Sequence, residues 1–166
     1  MNSITFFGGA GSVTGSKHLV QINNKKILLD CGMFQGVPNV HSRNRSFSFA
    51  PKSIDAVVLS HAHLDHCGML PLLVKQGFQG NIFSTPATQD IVEYIISDAA
   101  GIEMQDSIYR KAHTIGNSDE HEPLFTKEDI PYVMERFVSV PYARTIGTWT
   151  AKTFSSVRRP RPRAPT

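Results

Sequence analysis

Little in this chain could tie it covalently to itself or anchor it in a membrane. Two of its 166 residues are cysteine, Cys31 and Cys67, too few for a disulfide framework, and both read as reduced thiols. Long apolar runs are absent: nothing approaches the roughly 20 residues of a membrane span. The opening Met1-Asn2-Ser3-Ile4-Thr5-Phe6-Phe7 has neither the basic stretch nor the long apolar core of a secretory leader, so the expected address is cytoplasmic, with no membrane partner. Charge is sparse at 19%, against 40% hydrophobic residues, a balance that excludes a disordered chain and suits one domain with a real core. Acidic residues are missing from 151–166, which hold five basic ones. Residues 1–150 keep 12 basic and 14 acidic side chains, so the overall charge of +3 becomes −2 there. The basicity therefore belongs to the end of the chain and says little about the folded part.

What the chain does have is concentrated. His61-Ala62-His63-Leu64-Asp65-His66 places three imidazoles and a carboxylate in six residues, directly after the apolar run Ala56-Val57-Val58-Leu59. Neutral imidazole nitrogen and carboxylate oxygen are donors that zinc and neighbouring ions accept at about 2.0 to 2.2 Å. The run ends at Ser60, and Met69, Leu70, Leu72 and Leu73 follow Gly68 with helical spacing, which puts the donors on a strand-to-helix loop. Leaving a strand, His61 and His63 share a side and can converge on one ion, while the turn into the helix can send Asp65 and His66 toward a second. Each zinc takes about four donors, water included, so further protein ligands are expected from elsewhere in the fold. Cys67 adjoins His66 but reads better as a small loop residue than as a ligand. His18, His41, His113 and His121 lack a second donor at ligand spacing and read as ordinary histidines.

Around this loop the pattern alternates strands and helices. Strands are expected at 4–7, 18–22 and 26–29, with Asn23-Asn24 as a tight hairpin between the second and third. Asp30 ends the third strand. A carboxylate there either accepts the remaining ring N–H of a ligand histidine or caps the turn. Residues 32–51 are long enough for a lid, or for a loop anchored on the core through Phe34, Phe47 and Phe49. A short helix to about Gln76, a strand at 81–83 and a helix opened by Thr85 and Pro86 come next. From Thr88 to about His113 the pattern stays helical and offers Ile91, Tyr94, Ile95, Ile102, Ile108 and Tyr109 for burial, with Gly101 as a potential break. Thr126-Lys127-Glu128-Asp129 reads as the cap of a helix through Phe137. From Ser155 to Thr166, three prolines and four arginines with almost nothing to bury predict disorder, in a composition that also arises when a reading frame slips.

The HxHxDH run at His61 to His66 resembles the metal motif of the metallo-β-lactamase superfamily. Gly8-Gly9-Ala10-Gly11-Ser12-Val13-Thr14-Gly15-Ser16, Leu28-Leu29-Asp30-Cys31-Gly32-Met33-Phe34-Gln35-Gly36 and Leu59-Ser60 narrow the likeness to the β-CASP branch, the RNA-processing nucleases, over residues 4 to about 146. The resemblance implies an α/β fold of the four-layer αββα sandwich type, with residues 1–146 its incomplete first half and 147–166 a disordered or non-native Arg/Pro tail. It implies two zinc ions, the first on His61 and His63 and the second on Asp65 and His66, with Asp30 behind them and Asp65 also positioning the catalytic water. It implies hydrolysis of RNA phosphodiester bonds by a hydroxide that the ions make available at neutral pH.

Members of the family draw a further His, a bridging Asp and a late His from downstream motifs. No His follows His121 and no Asp follows Asp129, so the expectation is a truncated form with little or no activity alone. An open sheet edge and core surface should then make it oligomerise or depend on a partner. Two other readings stay open: a thioester or small-ester hydrolase of the same superfamily, and a non-catalytic remnant whose arginine tail binds RNA.

Overall fold

The computed structural model describes residues 2–113 and 122–143. The Arg/Pro tail, the domain boundary at 146 and His121 lie outside the described residues. A six-stranded sheet organises the rest in the order β1 (Ser3–Gly8), β2 (Lys17–Ile22), β3 (Lys25–Leu29), β4 (Ala56–Val58), β5 (Asn81–Ser84), β6 (Phe137–Ser139). The first two pairings are antiparallel and the last three parallel. Asn23 and Asn24 take φ of 49° and 61° and join β2 to β3 with Ile22 opposite Lys25. Left-handed residues at both central positions give the turn the twist that paired strands need.

Residues opposite one another across a ladder share a face. Leu19, Leu28, Val57, Ile82 and Phe137 form one such row, and it packs with α3 (Leu70–Lys75), α4 (Pro86–His113) and α5 (Ile130–Met134) into the core. The other face carries the row Phe6, His18, Leu29, Val58, Phe83 and Val138; Phe6 there is 60% exposed. The described residues thus supply one sheet with helices on one side, which corresponds to two layers of the expected sandwich.

Three expectations for the helices require correction. Gly101 does not break α4, which runs unbroken through 28 residues; a single interior glycine costs only about 1 kcal/mol. Its buried residues are Thr88, Val92, Ile96, Ala99, Ala100 and Ser107, whereas Ile91, Tyr94, Ile102, Ile108 and Tyr109 are all more than half exposed, and only Ile95 of the expected set packs on the core. The core meets a face one position along from the larger side chains, and beyond Ala100 only Ser107 of this helix is buried. The helix after Thr126 stops at Met134, and Phe137 opens β6, where the N–H of Val140 reaches the carbonyl of Ser84 at 2.8 Å. An open edge of β5 pairs better with an extended Phe-Val-Ser than a helix end would, and no local signal reveals that edge. The Thr126 N–H does bond Asp129 Oδ2 at 2.9 Å.

The segment from Gly32 to Pro51 holds the one-turn helix α1 (Val40–Asn44). Asn44, 4% exposed, pins the segment by accepting the Phe34 N–H at 2.9 Å and donating to the Phe34 carbonyl at 3.0 Å. Phe47 and Phe49 pack against the core, so the aromatics act as anchors.

Candidate metal centre

The donor run leaves the C-terminal end of β4, between its parallel neighbours β3 and β5, at the sheet edge where α/β folds place their ligands. Leu59 is still tied to β5 through the Phe83 carbonyl at 2.9 Å. Ala62 is buried in the core, so alternation turns His61 and His63 outward, with ring centroids 4.6 Å apart. His63 then enters a single turn, α2 (Leu64–Cys67), its carbonyl accepting the N–H groups of His66 at 2.9 Å and Cys67 at 3.0 Å. That turn brings His66 back to 3.9 Å from the His61 ring and puts its Nε2 3.5 Å from Asp65 Oδ2. His61 touches both other rings, so the ring contacts do not separate into the two pairs expected from the spacing.

Asp30 closes β3 with its N–H on the Val58 carbonyl at 3.0 Å and takes a left-handed φ of 60°, a conformation that Asp tolerates better than most residues. Its carboxylate is nearly enclosed. Oδ1 accepts the Ser60 N–H at 2.8 Å, and Oδ2 accepts the Ser60 hydroxyl at 2.9 Å and lies 2.8 Å from His66 Nδ1. A carboxylate can only accept, so a proton sits on His66 Nδ1, and the neutral ring is the tautomer with its lone pair on Nε2. The Ser60 hydroxyl, having donated to Asp30, accepts from His61 Nδ1 at 2.9 Å, and His61 likewise presents Nε2. Burial, reinforced by His66 and His63, pushes the His61 pKa below its ordinary value and favours the neutral imidazole that metals bind.

Whether a metal suits these residues turns on chemistry and on spacing. The chemistry fits: three imidazoles, two of them held through Nδ1, and a carboxylate lie together at a strand end. The spacing is incomplete, because among the described residues no group of three or more His, Cys, Asp or Glu is set to hold an ion. Cys67 does not add a donor. Burial, with Asp30 and Asp65 adding to it, pushes its thiol up to about 12, and Sγ donates to the Ala62 carbonyl at 3.4 Å. Cys31, fully buried, is likewise pushed up to about 12; both thiols are free.

The loop is held by backbone that the sequence reading overlooked. The N–H groups of Ser16, Cys31 and Met33 donate to the carbonyls of Asp65, His66 and Leu64 at 2.9, 2.7 and 3.1 Å. Gly32 lies so close that a Cβ there would run into the Asp65 carbonyl. Ser60 is the most informative omission. A hydroxyl at the very end of a buried strand, one residue before three imidazoles, is the signal that could have found it. The remaining histidines stand apart: His41 Nε2 accepts from Arg45 Nε at 2.9 Å, His113 stacks on Tyr109 at 4.2 Å, and His18 lies edge-on to Phe6 at 5.1 Å, reaching Asp30 only through Ser16.

A parallel sheet edge bearing HxHxDH, backed by a strand-end aspartate, defines a class. Residues 14–82 match the model of the metallo-β-lactamase superfamily, which the chain resembles in this segment. The relatives it resembles include proteins named as ribonucleases and a transcription termination factor. The chain is 49% identical over 94 residues to Ribonuclease TTHA0252 of Thermus thermophilus, covering 56% of this chain and 21% of that protein. Endoribonuclease YSH1 of Eremothecium gossypii is 31% identical over 152 residues, 87% of this chain and 18% of its own length. Transcription termination factor FttA of Cenarchaeum symbiosum is 30% identical over 143 residues, 84% of this chain and 20% of its own. The chain thus spans about a fifth of the length of these relatives.

Proposed function

We propose that the chain is the metal-binding N-terminal part of a zinc-dependent β-CASP hydrolase that cleaves RNA phosphodiester bonds in the cytoplasm, with residues 1–146 as its incomplete domain. One observation carries the metal assignment: Asp30 and Ser60 fix His66 and His61 in the tautomer that leaves Nε2 free, next to Asp65. In this reading His61, His63, Asp65 and His66 hold zinc. Bound zinc supplies Lewis acidity and lowers the pKa of water toward about 7. Asp65 accepts a hydrogen bond from the attacking water and orients it. Asp30 stabilises the positive charge that metal binding draws onto the His66 ring. The RNA substrate rests on the names of TTHA0252 and YSH1. A second copy or another partner covers the apolar face and edge on which Ile4 and Phe6 are 57% and 60% exposed.

Zinc analysis after dialysis, paired with an RNA cleavage assay, tests the proposal. Weak zinc retention and slow or no cleavage are expected, with retention lost in His61→Ala/His63→Ala. Equal zinc in that variant overturns the metal assignment, and full two-ion occupancy with rapid turnover overturns the incomplete domain.

A further inference from the structure

Next to the metal loop, but built from other side chains, is a cavity of about 210 Å³ lined by Lys17, Phe34, Arg43, Ser46, Ser48 and Phe49, among others. Its floor is unusual. Lys17 is 4% exposed, and its ammonium donates to the Gly32 carbonyl while sitting 4.3 Å from the centre of the Phe34 ring. The guanidinium of Arg43 lies 3.9 Å from the centre of the same ring. Two cations therefore converge on one aromatic, and among the described residues neither makes an ion pair with a carboxylate. A buried cation without a counter-charge is costly, because water is removed and nothing of opposite sign replaces it. Burial accordingly lowers the Lys17 pKa to about 8, with Cys31 opposing and Arg43 adding to the fall.

We propose that this cavity binds the phosphate of a nucleotide, as an anion site separate from the metal centre. The dianion supplies the charge that Lys17 and Arg43 lack. The hydroxyls of Ser46 and Ser48 offer neutral donors to its remaining oxygens. The volume is smaller than the roughly 300 to 1,000 Å³ of sites that enclose a whole ligand, so the phosphate enters and the nucleoside stays at the mouth. Phe47 and Phe49, which line the same cavity and are only half-buried, with ring centroids 5.1 Å apart, provide an aromatic surface for the base. The aromatic wall selects a nucleotide over inorganic phosphate, and the cations select either over a nucleoside. The proposal is independent of hydrolysis and of zinc.

The test is calorimetric titration of the full chain, in chelator and at low salt, with adenosine 5′-monophosphate, inorganic phosphate and adenosine as separate probes. The expected result is saturable binding of the monophosphate with a Kd at or below roughly 1 mM, weaker binding of phosphate, and none of adenosine. Lys17→Met and Arg43→Gln should each weaken the monophosphate at least about tenfold. Arg43 is exposed, so its variant remains informative if Lys17→Met fails to fold. No saturable binding, binding of adenosine as strong as of its monophosphate, or affinity unchanged in Arg43→Gln overturns the proposal. Because chelator is present throughout, none of these outcomes bears on the metal assignment.

Discussion

Two clusters flank the Gly32 backbone and handle charge in opposite ways. On one side the Asp30 carboxylate is matched by Ser60 and His66. On the other, Lys17 and Arg43 share the Phe34 ring without a carboxylate among the described residues. Both clusters hang from the same strand ends: Lys17 opens β2, Asp30 follows β3, and the Gly32 N–H bonds the Ser16 carbonyl at 2.9 Å. The difference teaches that burial alone does not mark a site. A charge whose partners are built into the fold is a support, whereas one left uncompensated is a place for something to bind.

The comparison can be broken at its hinge. Gly32→Ala forces a Cβ, whose place is set by the main chain, against the backbone carbonyl of Asp65, so neither side can yield. A loss on the order of 4 kcal/mol or more is expected, read from the urea unfolding midpoint; a near-native midpoint would mean that the two clusters do not depend on this contact.

The uncompensated side is sharpened by pH. Lys17 has a folded pKa of about 8 against an ordinary 10.5. Below about 8 it is charged in both states and its burial penalty is in full force. Between 8 and 10.5 only the unfolded chain keeps the proton, so stability rises with pH on this account. In phosphate-free buffer the stability difference between the parent and Lys17→Met should therefore shift in the parent's favour by about 3 kcal/mol across that window. Cys31 and Cys67, pushed up from 9.0 to about 12, act in the opposite sense above pH 9, but in both proteins alike. A pH-independent difference between the two proteins would contradict the assignment.

The compensated side predicts a smaller effect. Asp30→Asn keeps a residue that accepts the left-handed φ and removes the charge behind His66. Zinc affinity should fall about tenfold, and stability should fall by about 1 to 2 kcal/mol because the amide nitrogen cannot accept from Ser60 or His66. Competition with a chromophoric chelator measures the first; unchanged affinity would remove Asp30 from the metal centre. Smallest of all is Arg43→Gln. It loses an exposed cation–π contact worth roughly 0.5 to 1 kcal/mol and relieves repulsion on Lys17, so thermal unfolding should shift only slightly. A large drop would make Arg43 a structural residue.

Much of this was legible in the chain. The hairpin at Asn23-Asn24, the strand before His61 and the short helix after Gly68 follow from turn chemistry and apolar spacing, which act over a few residues. The unbroken α4, its choice of buried face and the strand at Phe137 were not, because each depends on what lies opposite. Phe137 joins β5 across 52 intervening residues of chain, and no local pattern records that edge.

The sequence by itself determined that three imidazoles and a carboxylate meet within six residues, since a strand end followed by one helical turn brings such neighbours together wherever it occurs. Only the tertiary structure decided how those groups are oriented and what faces them. Asp30 and Ser60 come from two separate segments to set the tautomers of His66 and His61, and Lys17 and Arg43, 26 residues apart in number, converge on Phe34. Hydrogen bonds and uncompensated charge depend on distances in space, and those are fixed when the strands pair.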